Sequence, residues 1–369
     1  MAANVRPYVV AASAAGFQVL AADVFGDEDT LLACDRHLLL DYDSRGFSAD
    51  AVRDCLLPAI EEFGASRLLY GSGFEAQPAL IAELASQVDL VGNSAETVAA
   101  CKDARRFFQA CVQHRIPVPE TCFDQPPAQF LSGAEVSQWL SKRHGGCGGM
   151  HIVPAGLSTV GDENYFQRKV DGQPFSLLFL AHGGSIQPLG FQRQLLSPLD
   201  SLPYRYGGLA GPVVLAEAVA KELIRAAGRL AEAFGLRGLN SLDVVVDGEQ
   251  FWVLEVNPRL SSSLGLYPIE MQAEWLVCHI SGQPASFTSS ERIQATANLV
   301  FYAPFDIRIP GGFSWPEWTM DKPLAGSTIA RNMPLCSIEA EADNAQDAEA
   351  LARTRMTLLS AMLQPYFNP

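Results

Sequence analysis

The stretch Gly238-Leu-Asn-Ser-Leu-Asp-Val-Val-Val-Asp-Gly-Glu-Gln-Phe-Trp-Val-Leu-Glu-Val-Asn-Pro-Arg259 constrains this chain most. It reads as two β-strands, 241–246 and 250–257, joined by a tight turn at Asp247-Gly248-Glu249. Leu242, Val244 and Val246 alternate on the first strand, and Trp252, Leu254 and Val256 on the second. A period of two puts each set on one face. Asp243, Glu255 and Asn257 then fall on the other face, provided odd positions pair with odd. A two-residue turn would pair odd with even, whereas a three-residue loop over 247–249 brings the two apolar sets together. Burial selects that register, so a bulged loop is predicted despite the Asp-Gly signal.

Two carboxylates and an amide on one face, with no basic residue between them, repel one another. A hard cation with oxygen ligands relieves this, and Mg²⁺ in such sites is shared with substrate phosphates. The alternative is a solvated acidic face. The Asn-Pro-Arg that follows favours metal.

The chain has 369 residues, enough for two or three domains. A formal charge of −15 argues against nucleic acid or anionic membrane as a partner, since both need a basic face. No apolar run reaches the ~18 residues of a membrane span, and the start lacks the pattern of a signal peptide. Eight cysteines lie without CxxC or zinc-finger spacing, as expected of small buried hydrophobes in a reducing cytoplasm. Cys147 alone sits in a glycine loop, where it is either reactive or merely small.

Residues 7–94 read as an open α/β domain, with strands at 8–11, up to Asp23, and at 38–40, 67–70 and 89–91, and helices at 50–63 and 76–86. Ligands on such sheets lie beyond the strands' carboxyl ends. Gly71-Ser-Gly73-Phe-Glu75 either touches one there or only serves the turn. The absence of GxGxxG after the first strand speaks against a dinucleotide site. Residues 96–114 read as one helix bearing Lys102, ended by Ile116-Pro-Val-Pro119.

After Trp139-Leu-Ser-Lys142, four of the five residues from 145 to 149 are glycine. Such a run lets backbone N–H groups approach a polyanion, with Lys142 as a point charge. No Walker A motif is present, and Ile152-Val153 suggests a return strand, hence a hairpin flap. Strands follow at 165–170, 175–181 and near Ile186, then a Tyr/Arg/Gly-rich loop at 203–212. A long amphipathic helix spans 215–234. Beyond Arg259 come a helix at 269–281, a strand at 295–302, irregular chain, a strand at 335–341 and a helix at 345–363. No internal repeat is present.

Taken together, these residues resemble the ATP-grasp superfamily. Lys142-Arg-His-Gly-Gly-Cys-Gly-Gly-Met-His-Ile152 is similar to its K-P-x-x-G-x-G-G-x-G-I flap, with Arg143 in place of proline and His151 in place of glycine. Leu254-Glu-Val-Asn-Pro-Arg259 resembles its metal-binding strand, and Asp243 falls at the first metal carboxylate. The Tyr70-Gly-Ser-Gly-Phe-Glu75 stretch, with Pro310 and Pro334-Leu-Cys336, resembles a subgroup of carboligases related to biotin carboxylase, found in methylotrophs near one-carbon coenzyme biosynthesis.

The resemblance implies an α/β and α+β chain: an N-terminal Rossmann-like pre-ATP-grasp domain (1–95), a small subdomain with the flap (96–170), a catalytic subdomain (171–294) and a C-terminal α+β element (295–369). ATP would lie between the subdomains. Lys102 and Lys142 would hold phosphates under the backbone of Gly146, Gly148 and Gly149. Gln167, Arg168, Lys169 and Val170 are similar to the linker that meets adenine, with Gln167 or Arg168 where many relatives have glutamate. Asp243, Glu255 and Asn257 would hold two Mg²⁺, with Mn²⁺ as a substitute, and Arg259 would face an acyl phosphate. Gly73, Glu75, Arg193 and Arg205 are candidates for substrate contacts or for surface ion pairs.

The activity so implied is a ligase that activates a small carboxylate with ATP and joins it to an amine, glutamate or another amino acid being plausible substrates. Such chemistry asks the protein for positioning and charge neutralisation rather than a nucleophile–base pair. The rivals are a bicarbonate-activating carboligase and a non-catalytic nucleotide-binding subunit. A homodimer is compatible with any of these.

Overall fold

The structure is a computed structural model that describes residues 1–43, 45–123, 138–157, 163–286 and 293–368. At the amino end, two pairs of parallel strands, Leu20–Asp23 with Arg36–Leu39 and Arg67–Leu69 with Asp89–Val91, are bridged by the first three residues. The Met1 amine donates to Leu69 O and Ala3 N to Ser72 O on one side, while Ala2 N donates to Ala22 O on the other. The sheet position expected of Tyr8–Ala11 is therefore filled, and that segment belongs instead to the helix Arg6–Ala14. Pro7 suits the first helical turn. Tyr8, Val9 and Ala11 pack in one cluster with Met271 and Trp275 of the helix Ile269–Ser281, so tertiary packing overrides local strand preference.

The helix expected over 96–114 is two helices, Ala95–Lys102 and Ala104–Gln113. Asp103 breaks it: its carboxylate accepts from the backbone N–H of Arg105 and Arg106. An aspartate that caps a new helix competes with continuation of the old one.

The body of the molecule is an eight-stranded sheet among the described residues. Its order is Gln250–Asn257, Gly238–Asp247, Gln173–His182, Ser185–Leu196, Tyr206–Val213, Ala295–Tyr302, Pro334–Ala342 and Thr319–Met320. The pairs from Gln250–Asn257 through Thr319–Met320 are antiparallel. Residues 206–213, expected within a loop, form a central strand. The glycines there permit close approach: a Cβ on Gly208 would lie 2.2 Å from Asn298 O. The tail joins the same sheet through Ala295–Tyr302 and Pro334–Ala342.

One sheet face buries Leu177, Phe179, Leu242 and Val244 against Leu223, Ala227 and Leu230 of the helix Glu217–Phe234. The opposite face buries Leu178, Leu180 and Leu239 with Trp275. Among the described residues a second, four-stranded sheet carries the flap. In it Asn164–Arg168 lies between Thr121–Cys122 and Trp139–Arg143, and the latter pairs with Ile152–Pro154. Among the described residues no helix is long and apolar enough to cross a membrane.

Candidate active site

The acidic hairpin closes with a two-residue turn, because Asp247 pairs with Gln250. The bulged loop expected at 247–249 is not there. The extra residue sits deeper: Val244 pairs with Val253 and Asp243 with Glu255, which leaves Leu254 unpaired. This β-bulge restores odd-with-odd pairing where it matters, so Asp243 faces Glu255 and Ser241 faces Asn257. It also redistributes the apolar set. Val253 and Val256 are buried in the core and Phe251 packs against it, whereas Trp252 and Leu254 are only half-buried. Leu254 instead lines a cleft beside Glu255.

A base does lie among these acids, supplied from far along the chain. Lys102, in the last turn of its helix, donates to Glu255 Oε2 at 3.0 Å and to Asn257 Oδ1 at 2.8 Å. Asn257 Nδ2 in turn donates to Asp243 Oδ2 at 3.1 Å. Burial opposes the charge on Lys102, but Glu255 and Glu75 outweigh it and hold the ammonium above its ordinary value. Burial likewise opposes the Glu255 carboxylate, and Lys102 more than compensates, so Glu255 stays well below the carboxylate range. Asp243 is lifted, first by burial and then by Glu255 opposite it, while the Gln194 side chain stabilises its charge. Two facing carboxylates and an amide, one carboxylate destabilised by the other, form an all-oxygen donor set that a hard cation fits.

The flap is a hairpin, as its glycines suggest. Lys142 pairs with Tyr165 and Leu140 with Gln167, which puts Lys142, Tyr165 and Gln167 on one face. Lys142 is buried and donates to Gln167 Oε1 at 2.7 Å. Burial draws its ammonium down to about 8, against the pull of Glu255 and Asp243. Gly149 has φ +70°, and a Cβ on it would lie 1.8 Å from Tyr204 O. Gly148 O accepts from Tyr206 N at 3.1 Å. Both contacts fix the flap turn on the loop before Tyr206–Val213. Cys147 hydrogen-bonds the Tyr42 hydroxyl, and burial followed by the nearby Glu75 pushes its thiol up to about 11. This is the inert, small-residue reading of that cysteine rather than the reactive one.

Between flap and hairpin lies a cleft lined by Lys102, Gly145, Gly146, Gln167 and Glu255. Sequence reasoning did not single out Phe107, Tyr165 or His151 as lining groups, though all three line it too. Tyr165 was available from alternation with Gln167. His151 was flagged only as a departure from glycine.

Arg259 belongs to an adjoining corner. Its Nε donates to Glu75 Oε1 at 2.6 Å and its Nη2 reaches Asn257 Oδ1 at 3.4 Å, while Gly73 N donates to Glu75 Oε2 at 2.7 Å. Burial works against Glu75, but Arg259 and then Lys102 hold it ionised below the usual range. Gly73, Glu75 and Arg259 thus meet the metal-type face.

Other candidates lie elsewhere. Arg168 alternates out of the cleft and its guanidinium pairs with Glu120, while the N–H groups of Arg168 and Lys169 are taken by Glu120 O and Gln138 O. Lys169 is exposed and Val170 half-buried just past the strand's end. Arg193 pairs with Glu349 of the helix Ala345–Leu363, on the sheet face opposite Asp243, because Gln192 and Gln194 alternate with it. Arg205 is buried, donates to Ser197 O and Asn332 O, and lies 3.7 Å over the Tyr302 ring. Both arginines hold structure in place rather than reaching the cleft.

Two sheets closing on a cleft, one with a glycine flap and a buried lysine and the other with an acidic hairpin, define the ATP-grasp class, and residues 101–263 match the ATP-grasp domain family. Those residues carry an ATP-grasp domain. The chain is 24% identical over 203 residues to the tyramine–L-glutamate ligase of Methanocaldococcus jannaschii, a match that spans 54% of each chain, so it aligns with about half the length of that curated relative. The biotin carboxylase domain of Hydrogenobacter thermophilus 2-oxoglutarate carboxylase, solved with MgADP and bicarbonate, superposes with a TM-score of 0.70 at 13% identity, over 96% of this chain and 88% of that one. Biotin carboxylase of Campylobacter jejuni gives 0.69 at 13% identity, over 95% and 88%. At such identities these likenesses establish the fold.

Proposed function

We propose that the protein is an ATP-dependent ligase that activates a small carboxylate as an acyl phosphate and joins it to an amine, with glutamate or another amino acid as substrate. The observation that carries this is the convergence of Lys102, Lys142 and the flap glycines on the Asp243–Glu255–Asn257 face. Asp243, Glu255 and Asn257 would hold Mg²⁺, which when bound neutralises phosphate oxygens. Lys102 and Lys142 balance the remaining phosphate charge. The flap, seated on the loop at Tyr204–Tyr206, shields the cleft from water. The substrate carboxylate attacks the γ-phosphate of ATP and releases ADP. The amine then attacks the acyl carbon, phosphate leaves, and the amine's proton is lost to solvent.

The likeness to a tyramine–L-glutamate ligase supports C–N bond formation. A cytoplasmic setting and a homodimer belong to the same proposal, the Hydrogenobacter domain being described as a dimer. The second reading, bicarbonate activation, draws on the biotin carboxylase likeness. A screen of amino acid pairs for ADP release separates them. Release that needs both a carboxylate and an amine supports the ligase, release with bicarbonate alone supports the carboligase, and no release under any pairing removes the enzymatic reading. Glu255→Gln is expected to abolish turnover at a stability cost of only about 1 kcal/mol, since the amide oxygen still accepts from Lys102. Product formed at the parent rate would refute the metal-face assignment.

A further inference from the structure

A loop near the amino end, residues 70–75, grips the chain on both sides of Arg259. The Tyr70 hydroxyl donates to Pro258 O at 3.3 Å, and Leu260 N donates to Tyr70 O at 3.4 Å. Between them Arg259 Nε donates to Glu75 Oε1 at 2.6 Å. The loop is itself fixed. Tyr70, Phe74 and Phe47 pack in one buried cluster. Gly73, at φ +110°, leaves no room for a Cβ, which would lie 2.7 Å from Phe47 Cε2, and its N–H holds the second oxygen of Glu75. The Glu75 side chain is only 3% exposed and that of Arg259 14%. With both its oxygens engaged and sealed in, Glu75 offers a substrate nothing, whereas Arg259 does. Of the guanidinium's five N–H groups, Nε serves Glu75, one on Nη1 serves Leu260 O at 3.0 Å, and one on Nη2 points to Asn257 Oδ1 at 3.4 Å. Among the described residues, one N–H is left on each Nη, a pair that matches two oxygens of an oxyanion.

We propose that Glu75 is a positioning residue, which locks Arg259 so that this pair of N–H groups meets the phosphoryl oxygens of the acyl phosphate. The inference rests on the ligase reading above. It gives the amino-terminal part of the chain a share in the chemistry. The hairpin carries Arg259, but the loop at 70–75 sets where its guanidinium stands. A group that works by orientation loses much of its effect when slightly misplaced.

Inorganic phosphate, a product of the proposed reaction whatever the carboxylate, is the probe, and its binding to the MgADP complex is measured. Glu75→Gln, which keeps the shape of the side chain, should weaken phosphate about tenfold and MgADP by less than about twofold. Arg259→Met should weaken phosphate by about tenfold or more. The double variant should stay within about twofold of Arg259→Met, since a residue that acts through another adds nothing once the other is gone. Losses that multiply in the double variant would show Glu75 acting apart from Arg259. Equal losses for phosphate and MgADP would show that the pair merely holds the loop to the hairpin. Either result overturns the proposal, as does unchanged phosphate affinity in Glu75→Gln. The parent protein labelled with ¹⁵N-arginine tests it without any variant: phosphate should move the Nη resonances of Arg259 and leave its Nε resonance in place. Nη resonances that stay put would also overturn it. A parent that binds MgADP but not phosphate overturns this inference alone, and one that binds neither overturns the nucleotide reading as well.

Discussion

Lys142 shows how burial sets the behaviour of a single group. Its ammonium is drawn down to about 8 by burial, with Glu255 and Asp243 opposing. The charged form dominates below that pH and is lost above it, and a polyphosphate favours the charged form. The kcat/KM for ATP should therefore hold steady up to about pH 8 and then fall, approaching tenfold per unit. Lys142→Arg should remove that alkaline limb, because a guanidinium stays protonated. A profile flat to pH 10 in the parent would show that Lys142 does not bind phosphate. The residue types at this site were readable from the sequence. Their partners were not: nothing local reveals that Lys102 reaches Glu255 and Asn257, 153 and 155 positions away, or that Arg193 turns toward Glu349 instead.

The flap and the hairpin were legible as elements because glycine content and alternation are local properties. Their fine structure was not. Parity at Asp243, Glu255 and Asn257 came out as expected, but through a bulge at Leu254 rather than a longer loop. An inserted residue anywhere between the turn and Asp243 gives the same parity, and only packing of Val253 into the core decides where it goes. The flap offers a direct test. Gly149→Ala would push a Cβ into Tyr204 O at a positive φ, so the turn must lift from its seat. MgATP affinity should fall at least about tenfold, with a melting temperature close to that of the parent because the turn lies outside the large clusters. Unchanged affinity would mean that the flap's seating is irrelevant to the nucleotide.

Across the molecule, the sheet separates stability from chemistry by face. The helix Glu217–Phe234 packs on one face, and the Asp243–Glu255 groups project from the other. Leu223 is fully buried in that helical layer. Leu223→Ala should cost about 2–5 kcal/mol, read in a denaturant titration, while MgADP affinity at low temperature stays within about twofold. A matching loss of affinity would show that the two faces are coupled. What the sequence determined alone follows from local covalent geometry: the period-two face of the hairpin, the glycine flap with its lysine, and the long amphipathic helix. The tertiary structure alone decided that Tyr8–Ala11 is helical, that residues 206–213 are a central strand, and which charges meet. Those outcomes turn on burial and hydrogen bonding between segments far apart in the chain, energies that no local pattern encodes.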